Sequence, residues 1–187
     1  MPLWEFDTTL ARWWALQRYS VTAPPLSSNR FNHTLRQMNG NRCHWRNPML
    51  IIGKCHCGNI AFTLDWPEDQ PDVPARACDC SFCTKHGGVW TSNPRAKLSV
   101  VLQHTDLVSK YAFGTETATF HVCTRCGTVP IVTSEVENHR YAVVNVNTFE
   151  NFDPSRLHRA TASFDNEDVD SRLARRRKNW IADVRIS

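Results

Sequence analysis

Residues 53–62 read GKCHCGNIAF, with Cys55 and Cys57 on either side of a single His56 and a Gly58-Asn59 pair closing the turn. The stretches LIIGKC (50–55) and IAFTLDW (60–66) flank the turn-forming HCGN, so the segment reads as two strands around a tight turn. A strand turn has no need of two thiols. Working outward, VWTS (89–92), KLSVVL (97–102), LVSKYAF (107–113), ATFHVC (118–123), TVPIVTS (128–134) and RYAVVNVNTF (140–149) are short and rich in β-branched and aromatic residues. PEDQPDVPAR (67–76) reads as a connection, and CDCSFCTKHGG (78–88) as a loop followed by one helical turn. DVDSRLARRRKNW (168–180) predicts a helix with an Asp cap, Leu173 and Trp180 lying one heptad apart on its apolar side. Its RRRK run reads as a solvated face near a C-terminus, where cations suit the helix dipole. The expected fold is mostly β with one short C-terminal helix.

Composition bounds the function. The chain has 187 residues, 41% hydrophobic and 21% charged, which is the profile of a single soluble domain with a real core. No apolar run approaches the roughly 18–20 residues that a membrane span needs, so no membrane partner is expected. The N-terminus lacks a secretory layout, since Glu5, Asp7, Arg12 and Arg18 interrupt it. A cytosolic or organellar interior is expected, the cytoplasm first, and there thiols stay reduced unless a metal takes them.

Residues 1–48 stand apart. They hold six of the 22 basic residues and two of the 18 acidic ones, leaving 16 of each beyond, so the formal charge of +4 lies in this first quarter. TTLARWWALQRY (8–19) could form a short helix capped by Thr8 or Thr9, but a breaker-rich polar stretch follows. The segment reads as an N-terminal extension, disordered or loosely packed, with Cys43 a spare thiol. Regular patterning begins at Met49, which reads as the start of translation and of the functional domain 49–187.

The other seven cysteines form three groups: Cys55 with Cys57, the triplet Cys78, Cys80 and Cys83, and Cys123 with Cys126 in HVCTRCGTVP. Thiols adjacent on a tight turn supply neighbouring vertices of a tetrahedron, the geometry zinc prefers; iron–sulfur ligation is the competitor. Seven thiolates make one closed site of four and one open site of three. The contiguous triplet is the natural three-ligand set, and the remote pairs then close a structural site, although a swap of pairs stays open. His86 reads in three ways: a fourth ligand to the triplet, a catalytic or substrate-facing group, or a solvated loop residue.

In this order and spacing, GKCHCGNIAF, CDCSFCTKHGG and FHVCTRCGT resemble the glutathione-dependent formaldehyde-activating (GFA) family, which also includes centromere protein V. The resemblance covers roughly residues 50–150. It implies an Mss4-like β fold with two Zn2+ per chain. One is structural, on Cys55, Cys57, Cys123 and Cys126; the other is linked to activity, on Cys78, Cys80 and Cys83. It also implies carbon–sulfur lyase chemistry joining glutathione, or another small thiol, with an aldehyde, of the kind that gives S-hydroxymethylglutathione. A zinc site of this kind suits capture of a thiol as its thiolate, with polarisation of the aldehyde oxygen the alternative. Lys85, Arg95 and Lys97 are the nearby cations that could meet glutathione's carboxylates, or they are ordinary surface charges. The rival reading is a non-enzymatic zinc module that binds nucleic acid or protein. Seven thiolates against two Zn2+ leave the loaded domain net acidic, which counts against nucleic acid.

Overall fold

The computed structural model describes residues 49–164 and 166–187. The N-terminal extension, its helix at 8–19 and Cys43 lie outside the described residues. The described chain is mostly β, with eleven strands in two sheets and two α-helices. β1 (Met49–Lys54) and β2 (Ile60–Trp66) form an antiparallel hairpin in the register Met49↔Trp66 to Lys54↔Ala61. β5 (Lys97–Leu102) and β11 (Asp183–Ile186) complete this four-stranded sheet, in the order β1-β2-β5-β11. The larger sheet runs β10-β3-β4-β9-β8-β7-β6. Its strands are β3 (Val73–Cys78), β4 (Val89–Thr91), β6 (Val108–Tyr111), β7 (Thr119–Cys123), β8 (Ile131–Val136), β9 (His139–Asn145) and β10 (Leu157–Ala162).

The small sheet buries alternate residues, Ile60, Phe62, Leu64 and Trp66 on β2 and Leu98 and Val100 on β5. Ile131, Ala142 and Val144 from β8 and β9 close this core from the other sheet. The residues between them, Val132, Tyr141 and Val143, point the opposite way into a second core. β8 and β9 are therefore buried on both faces, which explains their near-continuous apolar runs. The second core is covered by α1 (Ser81–His86) and α2 (Val169–Asn179), with Leu173 and Trp180 packed into it. Asp168 caps α2, its carboxylate accepting from Ser171 N at 2.7 Å.

Three sequence expectations need correction. The stretch 67–76 is not all connection, because β3 begins at Val73 despite Pro74. Pro74 is tolerated because β4 reaches only Arg76 and Ala77, leaving no second strand beside the missing N–H. The strands β10 and β11 were not foreseen; both join their sheets in parallel, to β3 and β5, from far along the chain. The RRRK run is not a solvated face throughout: Arg177 and Lys178 are exposed, but Arg175 is half-buried and Arg176 only 5% exposed.

Candidate metal centres and the adjoining cavity

Two turns of the same design carry the remote cysteine pairs. In the first, Cys55 N donates to Ile60 O and Gly58 N to Cys55 O, while Ile60 N points at Cys55 Sγ at 3.3 Å. In the second, Cys123 N donates to Thr128 O and Gly127 N to Cys123 O. Gly58 (φ 80°) and Gly127 (φ 74°) take the left-handed conformation that lets each turn close immediately after its second thiol. Asn59 holds the first turn in place: its Nδ2 donates to His104 O and its Oδ1 accepts from His104 N.

These turns bring Cys55, Cys57, Cys123 and Cys126 together, each Sγ within 4.8 Å of the others. Cys57 Sγ lies 3.7 Å from Cys55 Sγ and 3.5 Å from Cys123 Sγ. Sulfurs about 2.3 Å from a common tetrahedral centre would be about 3.8 Å apart. The donor set therefore fits a metal ion, and the spacing is far from a disulfide; all seven described cysteines are free. Cys55 and Cys123 are fully buried in the core between the sheets. Burial pushes both of their thiols up, Cys123 to about 12. Burial also opposes ionisation of Cys126, but the Thr128 hydroxyl and backbone N–H groups outweigh it and bring that thiol to about 6.

Cys78, Cys80 and Cys83 form a separate group, again with every Sγ within 4.8 Å of the others. β3 delivers Cys78 at its last residue, Cys80 is the N-cap of α1, and Cys83 lies one turn in. Cys83 N approaches Cys80 Sγ at 3.5 Å, and the buried Trp90 Nε1 donates to Cys83 Sγ at 3.2 Å. Interaction with Cys83 draws Cys78 down to about 6, and the same contact drives Cys83 up. Both groups could hold metal ions.

The triplet differs from the four-thiol group in what lies beside it. A cavity of about 300 Å³ is lined by all three of its cysteines and by none of the other four. Its walls are Trp90, Phe113, Phe120, Val132, Val143, Phe164 and Trp180. Four arginines also line it, Arg76 from β3 and Arg172, Arg175 and Arg176 from α2. Arg175 is held in two hydrogen bonds by Glu167, at 2.6 and 2.8 Å, and stacks 3.9 Å over Phe164. Arg176 Nη1 donates to Thr117 O, Thr117 Oγ1 and Ser134 Oγ. Arg76 donates to Ser92 Oγ, which in turn donates to Asn179 O and ties the end of α2 to the sheet.

His86 belongs to neither thiol group and does not line the cavity; its ring stacks on Phe82 at 5.3 Å. Of the expected cations, Lys85 and Lys97 are exposed and Arg95 pairs with Asp69 at the surface. None of the three lines this cavity. The arginines that do were missed by sequence reasoning. Their only signal was the i, i+3, i+4 spacing of Arg172, Arg175 and Arg176, which puts them on one face of a helix.

The described chain is a mostly β protein with two groups of free thiols that could hold metal ions, one in the core between the sheets and one opening on a cavity. The model of the glutathione-dependent formaldehyde-activating enzyme (GFA) family matches residues 50–166, more than half of the chain. The chain belongs to that family. A Rhodobacter sphaeroides protein of known crystal structure is 31% identical to it, over 56% of this chain and 92% of the other, with a TM-score of 0.43. No curated protein matches. Among the described residues, no helix is long and apolar enough to cross a membrane.

Proposed function

We propose that residues 49–187 are a zinc-dependent carbon–sulfur lyase domain that makes and breaks adducts between a small thiol, such as glutathione, and an aldehyde. The observation that carries this reading is the contrast between the two thiol groups: Cys78, Cys80 and Cys83 line the cavity of about 300 Å³, and Cys55, Cys57, Cys123 and Cys126 do not. In this reading Cys55, Cys57, Cys123 and Cys126 hold a structural Zn2+, and the triplet holds the Zn2+ linked to activity. A Zn2+ held by Cys78, Cys80 and Cys83 would favour the thiolate form of a thiol substrate over its thiol.

The chain's own groups account for the rest. The aromatic walls offer an apolar surface to the substrate, and the indole N–H of Trp90 fixes Cys83 by its sulfur. In the cleaving direction the adduct hydroxyl loses its proton, the carbonyl forms, and the C–S bonding pair returns to sulfur. Among the described residues no carboxylate or imidazole lines the cavity, so that proton passes to solvent and His86 is given no step. The alternative of a nucleic-acid module is weakened by Arg175 and Arg176, which face the cavity and are not free for phosphates.

The test is turnover of glutathione–aldehyde adducts by the full chain, alongside its zinc content. The reading requires turnover that Cys80→Ser abolishes; a Cys80→Ser protein with undiminished turnover would place the chemistry elsewhere.

A further inference from the structure

The cations on α2 lie where chemistry alone would not put them. Arg172, Arg175 and Arg176 share one face of one helix, and Arg76 stands with them on the same cavity. Like charges three and four residues apart repel, and a buried guanidinium without a counter-ion is costly. Among the described residues the only carboxylate paired with any of the four is Glu167, already taken by both of its bonds to Arg175. Arg176 is 95% buried with its Nε unpartnered, and the Nε of Arg172 is likewise buried without a partner. Burial, then the neighbouring Arg175 and Arg172, hold the Arg176 guanidinium down at about 10. The helix capped by Asp168, the ring of Trp180 5.1 Å from Arg176, and the Ser92–Asn179 bond nonetheless keep the cluster in place. Positive charge held this way is a preorganised anion site.

The rest of the cavity is apolar. Trp90, Phe113, Phe120, Phe164 and Trp180 face the same space as the arginines and the triplet. Formaldehyde, a single carbon, needs neither an aromatic wall nor a cation. Glutathione presents carboxylates, but also an ammonium, and no carboxylate among the described residues lines the cavity to receive it. The family match ends at residue 166, so the three helix arginines lie beyond the region that defines the family. Their ligand is a question for this chain's own residues.

We propose that the arginine cluster is a carboxylate subsite, and that the carbonyl substrate is a compact apolar acid, an aromatic or branched aldehyde carrying a carboxylate. The proposal rests on the thiol–aldehyde reading above and narrows it. The acid's charge sits against Arg76, Arg172 and Arg176, its apolar body fills the aromatic wall, and its carbonyl is carried toward the triplet. The thiolate sulfur then forms a C–S bond to the carbonyl carbon. The π pair moves to oxygen, which takes a proton from water, and the reverse path returns every atom without an oxidant or reductant.

Calorimetry on the full-length zinc-loaded protein decides the matter, with benzoate, benzyl alcohol, 4-formylbenzoate and benzaldehyde as probes. Each acid should bind at least about tenfold more tightly than its uncharged counterpart, a difference that shrinks with added salt. Arg172→Gln and Arg76→Gln, both at partly exposed positions, should each erode that preference while leaving zinc content unchanged. Equal affinity for benzoate and benzyl alcohol in the unmodified protein overturns the proposal, whether or not the variants fold. Binding needs no turnover, so the two readings fail separately. Acid binding without turnover of any adduct sinks the lyase reading and keeps the subsite. Turnover of the formaldehyde adduct without acid binding does the reverse.

Discussion

The two thiol groups use the same ligand chemistry in opposite surroundings. The four-thiol group joins turns far apart in the chain, Cys57 and Cys123 being 66 residues apart, and two of its members are fully buried between the sheets. The three-thiol group comes from one stretch of six residues at the end of β3 and the start of α1, and it opens on a cavity. A metal in the first would cross-link the fold, and its binding energy would be partly folding energy. A metal in the second would brace a single loop and face solvent or ligand. On the reading proposed above, position in the fold, more than ligand type, would separate a structural centre from a reactive one.

The largest test of this difference is Cys123→Ser. It removes a fully buried ligand from the core and leaves a hydroxyl among apolar residues. The expected result is loss of one zinc and of stability on the order of several kcal/mol, seen as a collapse of the thermal transition or as insoluble protein. A soluble Cys123→Ser protein with an unchanged transition would mean that the first group does not hold the fold together. Cys80→Ser should lose one zinc and all turnover, yet shift the unfolding midpoint little, because a metal on ligands from one stretch of six residues closes no long loop. Comparable unfolding in the two variants would erase the distinction.

The same contrast explains what could be read from sequence. Spacing within Cys55-His56-Cys57, the triplet and Cys123–Cys126 is local, and a tight turn fixes neighbouring ligand positions without help from the rest of the fold. β2 and β5 were legible to the residue because one face of each is buried and the other exposed. β10 was not, because LHRATA is an edge strand with little burial on either face and its partner β3 is remote in sequence. The cavity was hidden for a related reason. Helical spacing places Arg172, Arg175 and Arg176 on one face, but only the tertiary fold sets Arg76 and the triplet on the same cavity. Trp90 gave no sign that its indole would reach Cys83.

Metal removal sharpens the comparison without mutation. A chelator added to the zinc-loaded protein should strip the ions in two phases. The first, fast phase takes one equivalent from the triplet, which has three ligands and an open side. The second is slow and coincides with loss of structure, because an ion on the four-thiol group would be held by Cys55 and Cys123, both buried in the core. Following zinc release with a colorimetric dye while recording near-ultraviolet circular dichroism separates the phases. A single phase, with structure lost from the outset, would mean that the two groups are equally accessible or that the fold depends on both.

The smallest expected effect is the most local. Trp90→Phe keeps the aromatic wall and most of the buried volume but deletes the N–H that points at Cys83 Sγ at 3.2 Å. That donor stabilises sulfur in its anionic form, and outer groups of this kind typically change metal affinity by roughly 10- to 100-fold. Trp90 contacts no member of the four-thiol group, so the slow chelation phase should keep its rate while the fast phase accelerates. Stability should change by about 1 kcal/mol or less for loss of a single hydrogen bond. Acceleration of both phases would show that Trp90 acts through general packing between the two cores. No change in either would show that its N–H is incidental to the metal, and that the triplet is tuned by its own three thiols alone.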